Sequence, residues 1–156
     1  SETVDAKGLC IVEGKKVYTV FADVYPLEYD GNLIDASSIA VNAALLTTRY
    51  PEMVMEDGNL VESGKIISLP IKNIAIEHTI AKIGNHLILD PILKEEFVQD
   101  CRLTMAVDQN DNFTALQKGG GMGAMSLELI DQAMGIALDR AKDIREIINE
   151  AVKNIE

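Results

Sequence analysis

Four carboxylates near the middle of the chain have the types and spacing that could support chemistry. They are Asp90, Glu95, Glu96 and Asp100, around the end of a predicted strand and a short helical turn. Grouped carboxylates can hold a hard cation or transfer a proton. Asp-Pro is also a common turn, and acidic side chains on a surface turn are usually solvated. The spacing alone therefore leaves both a site and a solvated turn open.

Two other features could bind a ligand, but each lacks required parts. The glycine-rich run 119–123 joins a predicted strand to a predicted helix, where backbone N–H groups can bind phosphate. Neither a Walker motif nor GxGxxG can be read there, so a flexible connection is the alternative. His78 and His86 flank a predicted hairpin turn and could approach each other, but structural zinc needs four nitrogen or sulfur ligands. We therefore predict no metal and no cofactor.

The elements that would position these residues begin with the run 17–46. Segment 17–29 is rich in β-formers and predicts a strand, and 30–32 (Asp-Gly-Asn) predicts a turn in which Gly31 supplies a positive φ. The pattern then changes to helical spacing. We predict a helix over 35–48 with Asp35 as its N-cap.

The second half of the chain predicts a sheet covered by a helix. Residues 49–65 are polar, acidic and interrupted by Pro and Gly, which predicts a linker. Residues 66–117 predict an antiparallel meander of about four strands. An amphipathic helix follows over 126–153, with Ser126 as its N-cap and an apolar stripe that packs on the meander or, alternatively, on a partner. The fold class is α+β.

Composition restricts the function classes. The chain has 156 residues, is 47% hydrophobic and carries a net charge of −11. This acidity argues against a stand-alone nucleic-acid binder, which usually has a basic patch. No apolar run is long enough for a membrane span, no signal peptide is evident, and two cysteines are too few for a disulfide framework. A reduced, cytoplasmic setting is expected, and Ser1 at the start suggests a processed, cut or engineered chain.

Three motifs, in order along the chain, resemble the phosphorolytic RNase PH family. The specific one is LEYDGNLIDASSIAVNAALL, which ends at Leu46. Leu89-Asp90-Pro91 with Glu95-Glu96 and the run 115–120 before a Ser-headed helix are the others. Within the family, the chain is most similar to the non-catalytic RNase PH-like subunit of the archaeal exosome.

The resemblance implies a βαβα-type RNase PH-like fold and a hetero-hexameric ring, a trimer of dimers. Three such subunits would alternate with three catalytic ones, and the ring would degrade single-stranded RNA from its 3′ end with phosphate as the attacking group. RNA-binding cap subunits would be further partners. Residues 1–48 would be the C-terminal part of the first subdomain and 66–156 the second, with an N-terminal half preceding Ser1–Asp5, the end of a helix.

A departure from the catalytic members suggests that this subunit is not an enzyme. The signature turn comprises Asp30, Gly31, Asn32 and Asp35. Catalytic members have a DGG-T-R type of turn, whereas this chain has Leu33 and Ile34 in place of the polar and cationic residues. Phosphate binding needs donors or positive charge.

Asp90, Glu96 and Asp100 remain the candidates near the family's active-site region. We expect a non-catalytic subunit that shapes its partner's active site and helps bind RNA. The first alternative is an active phosphorolytic 3′-to-5′ exoribonuclease. The second is a self-associating domain without RNA contact.

Overall fold

The computed structural model describes residues 2–153 and 155 and has eight strands and three helices in that part of the chain. Ser1, Asn154 and Glu156, at the outer ends of the two predicted subdomains, lie outside the described residues. The strands are β1 (Cys10–Val12), β2 (Lys16–Val17), β3 (Arg49–Glu56), β4 (Asn59–Ser68), β5 (Ile76–Ile83), β6 (His86–Leu89), β7 (Cys101–Val107) and β8 (Phe113–Gly119). The helices are α1 (Leu33–Thr47), α2 (Leu93–Val98) and α3 (Leu127–Lys153).

A four-stranded antiparallel sheet packed by α3 forms the core, as predicted. Its strand order is β6–β5–β7–β8, so β7 lies beside β5 and not beside β6 as in a simple meander. The two-residue turn Gly84-Asn85 places β6 on one edge of β5. The connection from β6 to β7 contains α2 and is too long for a hairpin. The chain therefore returns along the free edge of β5.

The face of the sheet toward α3 is apolar except for His78. Opposed pairs on that face are Ile80–Leu103, His78–Met105 and Ile76–Val107. Small residues at every fourth position of α3 pack on them: Ala133, Ala137 and Ala141. They let the helix approach the strands closely, because alanine projects little beyond the backbone.

The predicted start and orientation of α3 are confirmed. Ser126 Oγ accepts a hydrogen bond from Leu129 N–H at 3.2 Å, which caps the helix. Leu127, the first residue of α3, is 85% exposed, so burial begins further along the helix. No helix in the described part of the chain is long and apolar enough to cross a membrane.

His78 makes the stability of this core depend on pH. Its side chain is 4% exposed and its Nε2 has no hydrogen-bond partner among the described residues. Burial, and then the positive charge of Arg145, lower the pKa of His78 to about 4. The unfolded chain binds this proton first, because an unperturbed histidine titrates near 6.5. The contribution of neutral His78 to the free energy of unfolding is therefore fully present above pH 6.5, and it is lost as the pH falls toward 4.

We expect the protonation of His78 to lower the free energy of unfolding by about 2 to 3 kcal/mol when the pH falls from 7 to 4.5. Urea unfolding at both pH values measures this cost. His78→Gln should show a smaller loss by about that amount, whereas the exposed His86→Gln should behave as wild type. Equal losses in all three proteins would contradict the prediction.

Helix α1 packs against β5 and contacts α3, and polar side chains make its hydrogen bonds to the strand segment. Asn42 Nδ2 donates to Ala75 O at 3.0 Å, and Ser38 Oγ accepts from Glu77 N–H at 3.2 Å. The helix begins at Leu33, and Asn32 in the left-handed region is its N-cap residue. The predicted cap role of Asp35 is wrong, because its buried carboxylate turns toward β5.

Residues 49–65, which the sequence predicts to be a linker, form regular secondary structure. β3 and β4 form an antiparallel hairpin that pairs Arg49 with Ser68 and Glu56 with Asn59. Asp57-Gly58 closes it with φ values of 49° and 83°, and Asp-Gly is a preferred hairpin turn. That dipeptide was the signal missed in the sequence. The division of the chain into two subdomains stays a prediction.

The predicted strand over 17–29 is also wrong beyond its first residue. β2 ends at Val17, and no backbone hydrogen bond among the described residues involves 19–29. Tyr18 N–H donates to Leu9 O, and the next backbone bond is accepted by Asp30 O. The β-forming composition is real, but a strand also needs a neighbour with which to pair. In the described part of the chain no strand lies beside this segment, which leaves Phe21 and Leu27 exposed by 84% and 99%.

Candidate functional site

The turn Asp30-Gly31-Asn32 is docked tightly on the residues before α2. Asp30 O accepts a hydrogen bond from Leu93 N–H at 2.8 Å. Gly31 has φ 104°, and a Cβ there would lie 2.5 Å from Pro91 O and 2.6 Å from Leu93 N. Only glycine fits, because both the dihedral angle and the space exclude a side chain. The turn thus brings the start of α1 against the acidic segment 90–96.

Asn32 is the centre of the polar cluster formed there. Its Nδ2 donates to Asp35 Oδ2 at 2.9 Å and to Asp90 Oδ1 at 2.6 Å. Its backbone N–H donates to Glu96 Oε1 at 3.0 Å. Its Oδ1 is buried and has no hydrogen-bond partner among the described residues. Residues that are distant in the sequence therefore meet at Asn32.

Asp35 connects α1 to the sheet. It accepts hydrogen bonds from Thr79 N–H at 2.6 Å and from Thr79 Oγ1 at 2.7 Å. Thr79 Oγ1 is 2.9 Å from Thr104 Oγ1 on β7. Burial raises the pKa of Asp35, the hydrogen bonds from Asn32 and Thr79 partly oppose that rise, and the charge of Asp90 adds to it. The carboxylate is a structural acceptor, not a solvated acid.

Glu96 occupies the start of α1. Besides Asn32 N–H, it accepts a hydrogen bond from the Tyr29 hydroxyl. This bond raises the pKa of Tyr29. The first N–H groups and the dipole of a helix favour an anion at this end. Here that anion is a carboxylate of the chain itself.

Asp100 lies apart from this cluster. Its carboxylate accepts hydrogen bonds from Lys82 Nζ at 3.0 Å and Gly84 N–H at 2.9 Å, and these two contacts lower its pKa. No hydrogen bond or ion pair among the described residues joins it to Asp35, Asp90 or Glu96. The structure therefore brings Asp90 and Glu96 together, but not Asp100.

The glycine-rich run 119–123 packs closely against Asp100. A Cβ at Gly121 would lie 2.3 Å from Asp100 O, and Gly123 N–H donates to the same oxygen at 2.8 Å. These glycines are therefore explained by close packing. The N–H of Gly123, which a phosphate cradle would need, is already bonded to Asp100 O.

The two histidines do not form a site. His86 pairs with Ile83 at the hairpin turn and is exposed, whereas His78 is buried beneath α3. No group of three or more His, Cys, Asp or Glu side chains among the described residues is arranged to hold a metal ion.

The cluster borders a cavity of about 230 Å³ that is poorly suited to phosphate. Its described lining residues are Tyr29, Asn32, Leu33, Ile34, Thr79, Glu96 and Arg102. Arg102 is the only cation among them. With Glu96 in the lining and Asp35 and Asp90 behind Asn32, carboxylates outnumber positive charges. A phosphate would therefore be repelled unless it displaced Glu96.

Sequence reasoning missed Tyr29, Thr79, Thr104 and Arg102. Thr79 carried little signal for contact with α1, because its strand also contains Glu77, His78 and Lys82. Tyr29 carried none, because its segment reads as a strand.

Two family descriptions match the chain in the expected order. The 3′ exoribonuclease family, domain 1, matches residues 5–51, and domain 2 of the same family matches residues 73–140. This chain belongs to the 3′ exoribonuclease (RNase PH) family. The predicted family and its α+β, RNase PH-like fold are therefore confirmed.

Relatives and solved structures agree with this family assignment. The exosome complex component Rrp42 of Thermococcus gammatolerans is 43% identical over 154 residues, which are 97% of this chain and 56% of that protein. The "Archaeal exosome core" structure gives a TM-score of 0.83 at 37% identity over 96% of this chain and 57% of that one. The structure of an Archaeoglobus fulgidus exosome with RNA bound to the active site gives a TM-score of 0.80 at 37% identity. The match covers 93% of this chain and 54% of that one. The chain thus spans little more than half the length of these exosome proteins.

Proposed function

We propose that this protein is a non-catalytic, RNase PH-like subunit of an archaeal-type exosome, a cytoplasmic ring that degrades RNA from its 3′ end by phosphorolysis. Its partners would be the catalytic RNase PH-like subunit, in a trimer of dimers, RNA-binding cap subunits and single-stranded RNA. In this ring the subunit shapes the active site of its catalytic neighbour. The relatives named Rrp42 and the matched archaeal exosome structures support this assignment.

The observation that carries the non-catalytic role is the position of Glu96. Phosphorolysis needs a phosphate anion held by hydrogen-bond donors and positive charge. At the start of α1, Glu96 uses the N–H of Asn32 and the hydroxyl of Tyr29. Leu33 and Ile34, which follow, offer no side-chain donors. Two donors at the start of α1 are therefore already engaged by a carboxylate.

The experiment compares three samples incubated with single-stranded RNA and inorganic phosphate. The protein alone should release no nucleoside diphosphates above the level of its Asp100→Ala variant. The catalytic subunit should release them when mixed with this protein, in a hetero-oligomer that elutes as one species. Diphosphate release by the protein alone that Asp100→Ala abolishes would support the exoribonuclease instead. Failure to form the hetero-oligomer would contradict the ring assignment.

A further inference from the structure

The chain contains two Asp-Gly pairs, Asp30-Gly31 and Asp57-Gly58, and both aspartates are exposed to solvent. An aspartate followed by glycine is prone to spontaneous rearrangement, because glycine has no side chain to shield its own amide nitrogen. That nitrogen can attack the side-chain carboxyl group of the aspartate only when the backbone between them can rotate. Local sequence and exposure are alike in the two pairs, so the fold decides which of them reacts.

Asp57-Gly58 lies at the tip of the hairpin β3–β4 and is free to rotate. A Cβ at Gly58 would meet nothing within 4 Å. Among the described residues, no hydrogen bond involves Gly58 N–H or the Asp57 carboxylate. Beyond the turn, the first pair of the hairpin is Glu56–Asn59. A turn at a hairpin tip opens at little cost, because few contacts have to break.

Asp30-Gly31, in contrast, is held on both sides. Asp30 O accepts a hydrogen bond from Leu93 N–H at 2.8 Å, and Asn32 N–H donates to Glu96 Oε1 at 3.0 Å. A Cβ at Gly31 would lie 2.5 Å from a backbone oxygen of the facing segment. Rotation of this turn requires its separation from α2, which is a larger local unfolding event.

We propose that Asp57 is a site of spontaneous covalent modification, at which the folded protein forms isoaspartate while Asp30 remains aspartate. The Gly58 nitrogen attacks Cγ of the neutral Asp57 carboxyl group. An N–Cγ bond forms, the Cγ–OH bond breaks, and the hydroxyl leaves with the amide proton as water. Water then adds to the main-chain carbonyl carbon of the resulting succinimide, and the bond from that carbon to the Gly58 nitrogen breaks. The product has the mass of the original chain, and no oxidant or reductant is needed.

Isoaspartate lengthens the backbone of the turn by one carbon and leaves the former main-chain carboxylate as a side group. The length of a hairpin turn fixes the register of its strands, so the modification acts on the pairing of β3 with β4. The product belongs to the substrate class of isoaspartyl methyltransferases, which esterify this carboxylate with S-adenosylmethionine. Neither step depends on assembly into a ring.

The test ages the intact protein at neutral pH, below its unfolding temperature, and labels isoaspartate with an L-isoaspartyl methyltransferase and labelled S-adenosylmethionine. Peptide mapping then assigns the label. The isoaspartyl fraction at Asp57 should exceed that at Asp30 by about tenfold or more, because only the hairpin tip opens readily. Asp57→Glu is the matched variant. It keeps the charge but forms the larger ring slowly, so the peptide that spans this turn should lose its label.

The same ageing in concentrated urea is the control for the role of the fold. Both turns are then unfolded, and Asp30 and Asp57 should be labelled at similar rates. Equal isoaspartyl fractions at the two residues of the folded protein would overturn the proposal. Undiminished label in the turn peptide of Asp57→Glu would also overturn it. If Asp30 stayed far less labelled in urea as well, local sequence and not the fold would be the cause.

Discussion

Replacing Gly31 with alanine is expected to lower the free energy of unfolding by about 3 to 5 kcal/mol, enough to unfold many domains of this size. Two costs combine at this position. An alanine must adopt φ 104°, which is strained for any residue with a Cβ. The Cβ would also lie within 2.6 Å of Pro91 O, Ile92 C and Leu93 N. Since these are backbone atoms, the clash is relieved only by separating α1 from α2.

The Gly58→Ala variant separates the cost of the strained φ from the cost of the steric clash. Gly58 has a similarly positive φ of 83°, but a Cβ there meets nothing within 4 Å. Its substitution should cost only the backbone strain, about 1 to 2 kcal/mol. Thermal and urea unfolding of both variants measure the difference. If Gly58→Ala were as destabilising as Gly31→Ala, the tight contact between turn and α2 would not be the cause.

Asp35→Ala should have the second-largest effect, a loss of about 3 to 4 kcal/mol in the free energy of unfolding. The carboxylate accepts hydrogen bonds from Thr79 N–H, Thr79 Oγ1 and Asn32 Nδ2. Alanine leaves these donors inside the structure with their acceptor removed. The gain from no longer burying a charge offsets part of this cost, because burial already raises the pKa of Asp35.

Asp139→Ala is the matched control, because Asp139 is exposed on α3. It should change stability by less than about 0.5 kcal/mol. Denaturant unfolding at neutral pH compares the two variants. Similar small losses in both would mean that Asp35 is not the connection between α1 and the sheet that its contacts indicate.

Local signals in the sequence predicted several elements correctly. Gly31 marked the turn, because a φ of 104° is readily adopted only by a residue without a Cβ. Ser126 marked the start of α3, and the recurrence of apolar residues along 127–153 marked the face that packs on the sheet. These features depend on one segment and its own backbone, so they can be read without knowledge of the rest of the chain.

Features that depend on partners were predicted less well. The segment 17–29 has strand composition but no neighbouring strand among the described residues. Residues 49–65 have the composition of a linker but pair as the hairpin β3–β4. In both cases the outcome depends on whether another segment lies alongside to pair, and sequence periodicity does not show whether it does.

The sequence by itself therefore determined the family, the signature turn, the sheet with its long helix and the loss of polar groups at Leu33 and Ile34. Only the tertiary structure decided the roles of the carboxylates. It placed Glu96 at the start of α1, joined Asp35 to Thr79 and separated Asp100 from them. Each of these contacts joins residues 16 to 67 positions apart. A carboxylate acts as a ligand, a cap or a solvated charge according to the donors that folding brings to it.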